Sequence, residues 1–255
     1  MSATSSRAAL ADGIRFAFGT LTVLPVTVTR WDRDAARTGM VCAPLAGLVV
    51  GLAAAALGGA LTVLGAGALL AAVASVTVPA VLTRGLHLDG LADVADGLGS
   101  GKPAAHALTI MKQSDIGPFG VVTLVLTLLA QVAVLAQLYA DSWSRGAVAT
   151  AVSAVTARLA LTLASRTGVP AARPEGLGAA VAETVPLRAA LLTAAVITAL
   201  ALPLSPGSAL GVVLGCAAAE LLLRRCVRRF GGVTGDVFGA VAETAATAAL
   251  VVVVF

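Results

Sequence analysis

Charged residues are scarce in this chain of 255 residues, and their scarcity excludes most soluble folds. Asp, Glu, Lys and Arg together make up 12% of the sequence, whereas hydrophobic residues make up 58%. A soluble domain carries about 25% charged residues, because its surface has to remain wetted by polar groups. The composition therefore predicts an integral membrane protein that is surrounded mostly by lipid.

Cysteine motifs and a P-loop are also missing. The three cysteines, Cys42, Cys216 and Cys226, show no CxxC or CxxH spacing, so we interpret them as small apolar residues rather than as metal ligands or disulfides. The glycine-rich segment 231–240 lacks the GK[ST] of a P-loop. The net charge of +4 is explained by the cytoplasmic excess of Lys and Arg in membrane proteins, so we expect no nucleic-acid partner.

Long apolar runs are present instead, and they predict an all-α fold. A bilayer core about 30 Å thick is crossed by roughly 20 apolar residues in a helix. Seven such stretches occur, at 41–64, 67–83, 118–140, 146–164, 187–204, 207–223 and 237–255. We predict a polytopic transmembrane bundle of about seven spans in a single domain, 1–255. The apolar segment Ile14–Val28 is short and broken by Pro25, so we expect it to lie at the interface rather than to be a signal peptide.

Small residues recur at helical spacing within these stretches. Gly47, Gly51 and Gly58 follow one stretch, and Gly211 and Gly215 follow another. Glycines so spaced let two helix backbones approach closely in a membrane.

Basic residues are distributed on one side of the seven predicted spans. Of the 17 basic residues, only Arg145 falls on the other side and only Arg158 lies inside a span. The positive-inside rule makes the basic side cytoplasmic. Segment 1–40 is then cytoplasmic or interfacial, and 84–117 is a cytoplasmic loop that carries the first motif described below.

The first motif, LHLDGLADVADG, covers Leu86–Gly97. Its aspartates Asp89, Asp93 and Asp96 are spaced i, i+4, i+7, which places them on one face of a helix. Clustered carboxylates repel one another unless a cation lies between them, and Mg²⁺ prefers oxygen ligands together with substrate phosphates. His87 could be a ligand, a base or a phosphate donor. A solvated acidic helix is the alternative, which the apolar residues between the aspartates disfavour.

The second motif, MKQSDIGPFG at 111–120, closes the same loop. Lys112 can neutralise a phosphate. Ser114 and Asp115 are expected to cap the helix that begins near Pro118.

The third motif, GGVTGDVFGA at 231–240, precedes the last predicted span. The backbone around Thr234 and Gly235 could hold a phosphate at a helix start, and Asp236 could be a fourth metal carboxylate. Arg158 and Glu243 lie inside spans, where ionisable groups are expensive and are candidates for function, either by pairing or by reaching substrate.

The chain resembles the cobalamin synthase family of adenosylcobinamide-GDP ribazoletransferases. The resemblance is carried by RGLHLDGLADVADG at 84–97, MKQSDIGPFG at 111–120, PEGLG at 174–178 and GGVTGDVFGA at 231–240. It implies a Mg²⁺-dependent enzyme of the cytoplasmic membrane that joins α-ribazole, or its 5′-phosphate, to adenosylcobinamide-GDP and releases GMP. It also adds Glu175, within PEGLG, to the expected substrate-binding residues.

Two other functions are considered. A CDP-alcohol-type membrane phosphotransferase would use clustered aspartates in a similar way, and a small transporter would place its polar groups near the bilayer midplane. Most acidic residues lie in the predicted cytoplasmic segments, which favours an enzyme. The expected partners are the small-molecule substrates and membrane lipids, and an oligomer stays open. The expected catalytic residues are His87, Asp89 and Asp93; the metal ligands are Asp89, Asp93, Asp96 and Asp236; and the substrate-binding residues are Lys112, Ser114, Arg158, Glu175, Thr234, Gly235 and Glu243.

Overall fold

Helices make up the architecture of the chain, as the apolar pattern predicts. The computed structural model describes residues 3–255, with side chains from Arg7 onward. Its helices in chain order are α1 (Ala3–Leu21), α2 (Arg33–Val63), α3 (Ala68–Leu82), α4 (Leu86–Gly99), α5 (Ala104–Ile110), α6 (Pro118–Asp141), α7 (Trp143–Ala164), α8 (Leu177–Val181), α9 (Leu187–Ala201), α10 (Pro206–Phe230) and α11 (Gly235–Val253). The all-α prediction is confirmed, and each of the seven apolar stretches overlaps one of these helices.

The described helices provide five or six candidate membrane spans. Five of the described helices are long and apolar enough to cross a membrane: α2, α6, α7, α10 and α11. Helices α3 and α4 would add a sixth span if the bent pair is counted as one. Helix α9 has 15 residues, about 22 Å at 1.5 Å per residue. The count of seven spans therefore stays a prediction.

Helix α1 covers about half of the short apolar segment Ile14–Val28. It is not among the five helices that are long and apolar enough to cross a membrane. Phe16 of α1 is buried and contacts Gly39 of α2. The ring of Phe16 also meets Trp31 edge-on, with ring centroids 5.3 Å apart. These contacts attach α1 to the first turns of α2.

Glycines set the distance between the long helices. A Cβ atom built on Gly47 of α2 would lie 2.5 Å from the carbonyl oxygen of Ala154 in α7. One built on Gly215 of α10 would lie 2.7 Å from the carbonyl oxygen of Ala245 in α11. The predicted close approach of helix backbones is thus confirmed. Comparably tight contacts surround Gly51, Gly58 and Gly211.

We expect Gly47→Ala to destabilise the protein by about 1–3 kcal/mol, because the added methyl forces α2 and α7 apart. Gly59→Ala is the matched control: it lies on the same helix, where the nearest neighbour of the added methyl would be an atom of Trp143 at 3.5 Å. Thermal unfolding of the detergent-solubilised variants measures the difference. Equal melting temperatures for the two variants would contradict the packing assigned to Gly47.

A sharp bend separates α3 from α4 and gives the first motif its position. The two helices meet at 89°. Arg84 and Gly85, at the bend, both have positive φ angles, of 55° and 70°. Positive φ is ordinary for glycine but uncommon for a residue with a side chain. The bend turns α4 across α11 and α6, where it can contact the third motif.

Candidate active site

The first and third motifs meet through a pair of glycines. A Cβ atom on Gly90 of α4 would lie 2.6 Å from the carbonyl oxygen of Asp236. In return, a Cβ atom on Gly239 of α11 would lie 2.9 Å from the carbonyl oxygen of His87. The backbones of α4 and α11 are therefore in direct contact, and any larger residue at either glycine would separate them.

Four acidic residues line one cavity of about 840 Å³, which we call the carboxylate cavity: Asp115 comes from the second motif, and the contact between α4 and α11 brings the other three together. Asp89 and Asp93 come from α4, and Asp236 comes from the first turn of α11. Both members of the second motif that were predicted to bind substrate, Lys112 and Ser114, also line it. The cavity thus gathers residues from all three motifs, which are far apart along the chain.

Asp236 is held in place by neighbours on two sides. The hydroxyl of Thr234 donates a hydrogen bond to its Oδ2 at 3.1 Å, and Nη1 of Arg173 lies 3.7 Å from the same oxygen. Thr234 also caps α11 by accepting a hydrogen bond from the backbone N–H of Val237 at 3.3 Å. The structure therefore gives Thr234 a positioning contact to Asp236. Gly235 lies beside it at the helix start, with no atom within 4 Å of a built Cβ.

The carboxylates repel one another, and Asp93 shows this most clearly. It lies on α4, outside the five span-length helices. Burial, followed by the charges of Asp236, Asp89 and Asp96, raises the pKa of Asp93 to about 7, against an opposing effect of Arg173. A cation among these groups would remove the repulsion and hold them ionised.

Basic side chains line the same cavity and can face an anionic substrate. Arg84 lies at the bend before α4, and Arg173 lies in the loop after α7; Nη2 of Arg173 donates to the carbonyl oxygen of Leu108 at 2.5 Å. Neither arginine is among the residues predicted from sequence. The sequence offered one indication of their role: Arg84 lies just before the first motif, and Arg173 lies just before PEGLG.

Glu175 lies beside the cavity rather than in its lining. Its carboxylate is 3.6 Å from the ammonium group of Lys112, and both side chains are largely exposed. An exposed ion pair of this kind contributes little to stability. A contact between Glu175 and substrate stays a prediction.

Asp96 does not line the cavity that the other two aspartates of its motif share. It is buried, its Oδ2 accepts a hydrogen bond from the N–H of Gly117 at 2.8 Å, and its Oδ1 accepts one from the N–H of Gly120 at 3.0 Å. Asp96 therefore caps the start of α6 from a neighbouring helix and does not line the carboxylate cavity. The expectation that Ser114 and Asp115 cap this helix was wrong, because the cap residue Gly117 receives no side-chain bond from them.

His87 is separated from the carboxylate cavity, although Asp89 follows it by two residues. Its side chain is 3% exposed, and its Nε2 atom has no hydrogen-bond partner. Burial, with a smaller effect of the Arg158 charge, lowers the pKa of His87 well below its ordinary value. His87 is therefore a neutral imidazole in apolar surroundings. It makes no contact with the carboxylate cavity that would support its predicted catalytic role.

Arg158 and Glu243 line a second, deeper cavity of about 40 Å³ between α3, α6, α7 and α11. Gln131 donates a hydrogen bond to Glu243 at 3.0 Å, whereas Nε and Nη2 of Arg158 are buried without partners. The structure thus does not bring these two residues into the carboxylate cavity. Their contact with substrate stays a prediction.

The side chains around the carboxylate cavity can be compared with those that hold Mg²⁺ in other proteins. Within residues 3–255, no group of three or more His, Cys, Asp or Glu side chains is arranged to hold a metal ion. Mg²⁺ in phosphate-transfer sites is held by one or two carboxylates, with waters and substrate phosphates completing its shell. The oxygen donors of Asp89, Asp93 and Asp236 around an open cavity fit that mode of binding.

Comparisons with known proteins agree along nearly the whole chain. A family model described as cobalamin-5-phosphate synthase matches residues 13–254. An adenosylcobinamide-GDP ribazoletransferase of Frankia casuarinae is 42% identical, covering 93% of this chain and 92% of the relative. A protein of the same name from Nocardioides sp. is 42% identical, covering 94% and 96%, and one from Bradyrhizobium diazoefficiens is 38% identical, covering 91% and 88%. No solved structure matches the chain.

Proposed function

The chain belongs to the cobalamin-5-phosphate synthase family, and from that premise we propose that the carboxylate cavity joins α-ribazole, or its 5′-phosphate, to adenosylcobinamide-GDP with release of GMP. Relatives covering most of the chain carry the name of this activity. The observation that supports this cavity as the reactive site is the convergence of all three motifs on it. The reaction completes the nucleotide loop of adenosylcobalamin.

The transfer is a displacement at phosphorus. The 3′-hydroxyl oxygen of the ribose attacks the phosphate attached to cobinamide, the bond from that phosphorus to the bridging oxygen breaks, and GMP leaves with the electron pair. Such reactions are accelerated mainly by positioning the reactants and by neutralising the charge on the phosphate oxygens. Lys112, Arg84 and Arg173 lie where they can provide part of that charge.

We further propose that Asp89, Asp93 and Asp236 hold Mg²⁺. When bound, the metal would neutralise charge on the diphosphate and on the departing GMP. The proton of the attacking hydroxyl passes to a carboxylate of the cavity, which we favour over His87 because His87 does not line it. Arg173, with Nη1 3.7 Å from Oδ2 of Asp236, would offset part of the negative charge of the cavity when substrate is absent.

A transfer assay tests the proposed function. Membranes containing the protein receive adenosylcobinamide-GDP, α-ribazole and Mg²⁺, and GMP and the corrinoid product are measured. We expect equal amounts of both products, with none in membranes without the protein. A CDP-alcohol-type activity would instead release CMP from a CDP-alcohol donor, and a transporter would release no nucleotide.

We propose that the carboxylate cavity faces the cytoplasm and that about seven spans lie in the cytoplasmic membrane. The start of α7, the start of α10 and the end of α11 share one cavity, lined by Ser144, Ser205 and Val253. The carboxylate cavity contains the start of α11 and the loop after α7, so it lies at the other end of these helices. That end carries nearly all the basic residues, which supports a cytoplasmic assignment.

Cysteine labelling in intact cells checks this orientation. Ser144→Cys is expected to react with a membrane-impermeant maleimide, and Lys102→Cys only after permeabilisation, because both positions are exposed but lie at opposite ends. The reverse pattern would invert the assignment. Labelling of both without permeabilisation would show that α6, which lies between the two positions, does not separate two compartments.

A further inference from the structure

A smaller pocket of about 100 Å³ adjoins the carboxylate cavity, and we call it the apolar pocket. It lies among α1, α2, α4, α7, α8 and α11. Most of its lining residues are aliphatic or aromatic. The apolar walls are formed mainly by Leu21, Met40, Leu161, Leu177, Val181 and Phe238.

His87 also lines the apolar pocket, together with Asp89 and Asp236, which the pocket shares with the carboxylate cavity. The Nε2 atom of His87 is buried and has no hydrogen-bond partner among the described residues. A buried polar atom without a partner is destabilising, so such atoms are normally satisfied by a ligand or by water. A neutral imidazole nitrogen can donate or accept a hydrogen bond. The pocket therefore suits a ligand that is mostly apolar and carries one polar ring atom.

The apolar pocket is continuous with the reactive site. Leu86, Asp89 and Asp236 line both it and the carboxylate cavity. A ligand in the apolar pocket would consequently present its other end to the carboxylates. Both reactants of the proposed function carry flat bicyclic bases. The guanine and adenine of adenosylcobinamide-GDP bear several polar groups, whereas the base of α-ribazole is apolar apart from its ring nitrogens and is joined to the ribose whose hydroxyl reacts.

We propose that the apolar pocket binds the aromatic base of the nucleoside acceptor, with His87 hydrogen-bonded to a ring nitrogen. This inference rests on the proposed function. At about 100 Å³ the apolar pocket is smaller than a dry cavity of roughly 150 Å³ that holds one benzene molecule, so part of one ring enters it and the rest of the base extends toward its mouth. The ribose then lies beside Asp89 and Asp236. His87 recognises the acceptor and does not transfer the proton.

Steady-state kinetics test this assignment. Leu177→Phe fills the apolar pocket and is expected to raise the KM for α-ribazole at least about tenfold, the effect of one or two misfitting carbons in an apolar site. The KM for adenosylcobinamide-GDP should stay within about twofold of wild type. The riboside of unsubstituted benzimidazole lacks two methyl groups, so Leu177→Phe should raise its KM less than it raises the KM for α-ribazole.

The matched control adds the same aromatic ring elsewhere. Leu200 lines a groove between α2, α7, α9 and α10, far along the helices from the apolar pocket, and is 64% exposed. Leu200→Phe is expected to leave both KM values unchanged. Equal KM increases for both reactants in Leu177→Phe, or the same effect in both variants, would overturn the proposal.

Binding of the free base separates this inference from the proposed function. Calorimetry with 5,6-dimethylbenzimidazole, the free base of α-ribazole, should detect one site on the wild-type protein. His87→Leu should raise the Kd about tenfold, because one hydrogen bond to a buried ring is lost. His87→Gln places an amide nitrogen near the position of Nε2 and should recover part of the affinity. No binding to wild type, or equal binding by all three proteins, would refute the pocket even if the enzyme transfers ribazole. Binding by a protein that releases no GMP would instead refute the reaction.

Discussion

Replacing Asp93 with asparagine is expected to lower turnover roughly a thousandfold while the protein still inserts and folds. Asparagine has the same shape but no charge, and losing one of two or three carboxylates weakens a metal site whose charge neutralisation contributes several kcal/mol to the transition state. A thousandfold corresponds to about 4 kcal/mol. Asp89→Asn should behave in the same way, since it lines the same cavity. Initial rates of GMP release per mole of folded protein measure the effect.

Asp141→Asn provides the control for this result. Asp141 pairs with Arg145 at 2.5 Å at the other end of α6, where both side chains are about half exposed. Its neutralisation should leave turnover unchanged. Full activity in both Asp89→Asn and Asp93→Asn would rule out their metal role.

Gly90→Ala is expected to lower kcat about a hundredfold without changing any reactive group. The added methyl would lie 2.6 Å from the carbonyl oxygen of Asp236, so α4 and α11 have to separate. A misplacement of about 1 Å between groups that act together can cost about two orders of magnitude in rate. Gly239→Ala should act similarly, because its methyl would lie 2.9 Å from the carbonyl oxygen of His87. The measurement is kcat at saturating concentrations of both substrates.

Two comparisons separate this effect from general loss of stability. Gly207→Ala, at the start of α10, meets only the Ser205 hydroxyl at 3.8 Å and should leave kcat unchanged. Gly47→Ala is destabilising but distant from the cavity, so its folded fraction should retain kcat. A normal kcat in Gly90→Ala would mean that the distance between α4 and α11 does not control the reaction.

The sequence predicts the helices and the reacting segment well, because both depend on local patterns. Apolar length specifies the helices, and the spacing of Asp89 and Asp93 places them on one face of α4. The sequence pattern does not predict which helices or loops that face of α4 contacts. Asp96 lies seven residues after Asp89, about 10 Å farther along the helix at 1.5 Å per residue, and at that height its carboxylate meets the amides of Gly117 and Gly120.

The missed arginines show a second limit of pattern reasoning. Arg173 lies in a loop with no periodicity, and it approaches Asp236 because neighbouring loop residues pair, with an isolated bridge from Ala171 to Val233. Sequence spacing carries no information about such a long-range pairing. The apolar pocket is similar, since its walls come from six different helices.

Binding of Mn²⁺ tests the central claim most directly. Mn²⁺ substitutes for Mg²⁺ and is detected by electron paramagnetic resonance. In the presence of adenosylcobinamide-GDP, the wild-type protein and Asp141→Asn should both remove free Mn²⁺ from solution. Asp89→Asn and Asp236→Asn should leave it free at the same protein concentration. Equal binding by all four proteins, or no binding by the wild type, would contradict a metal site formed by the carboxylates of α4 and α11.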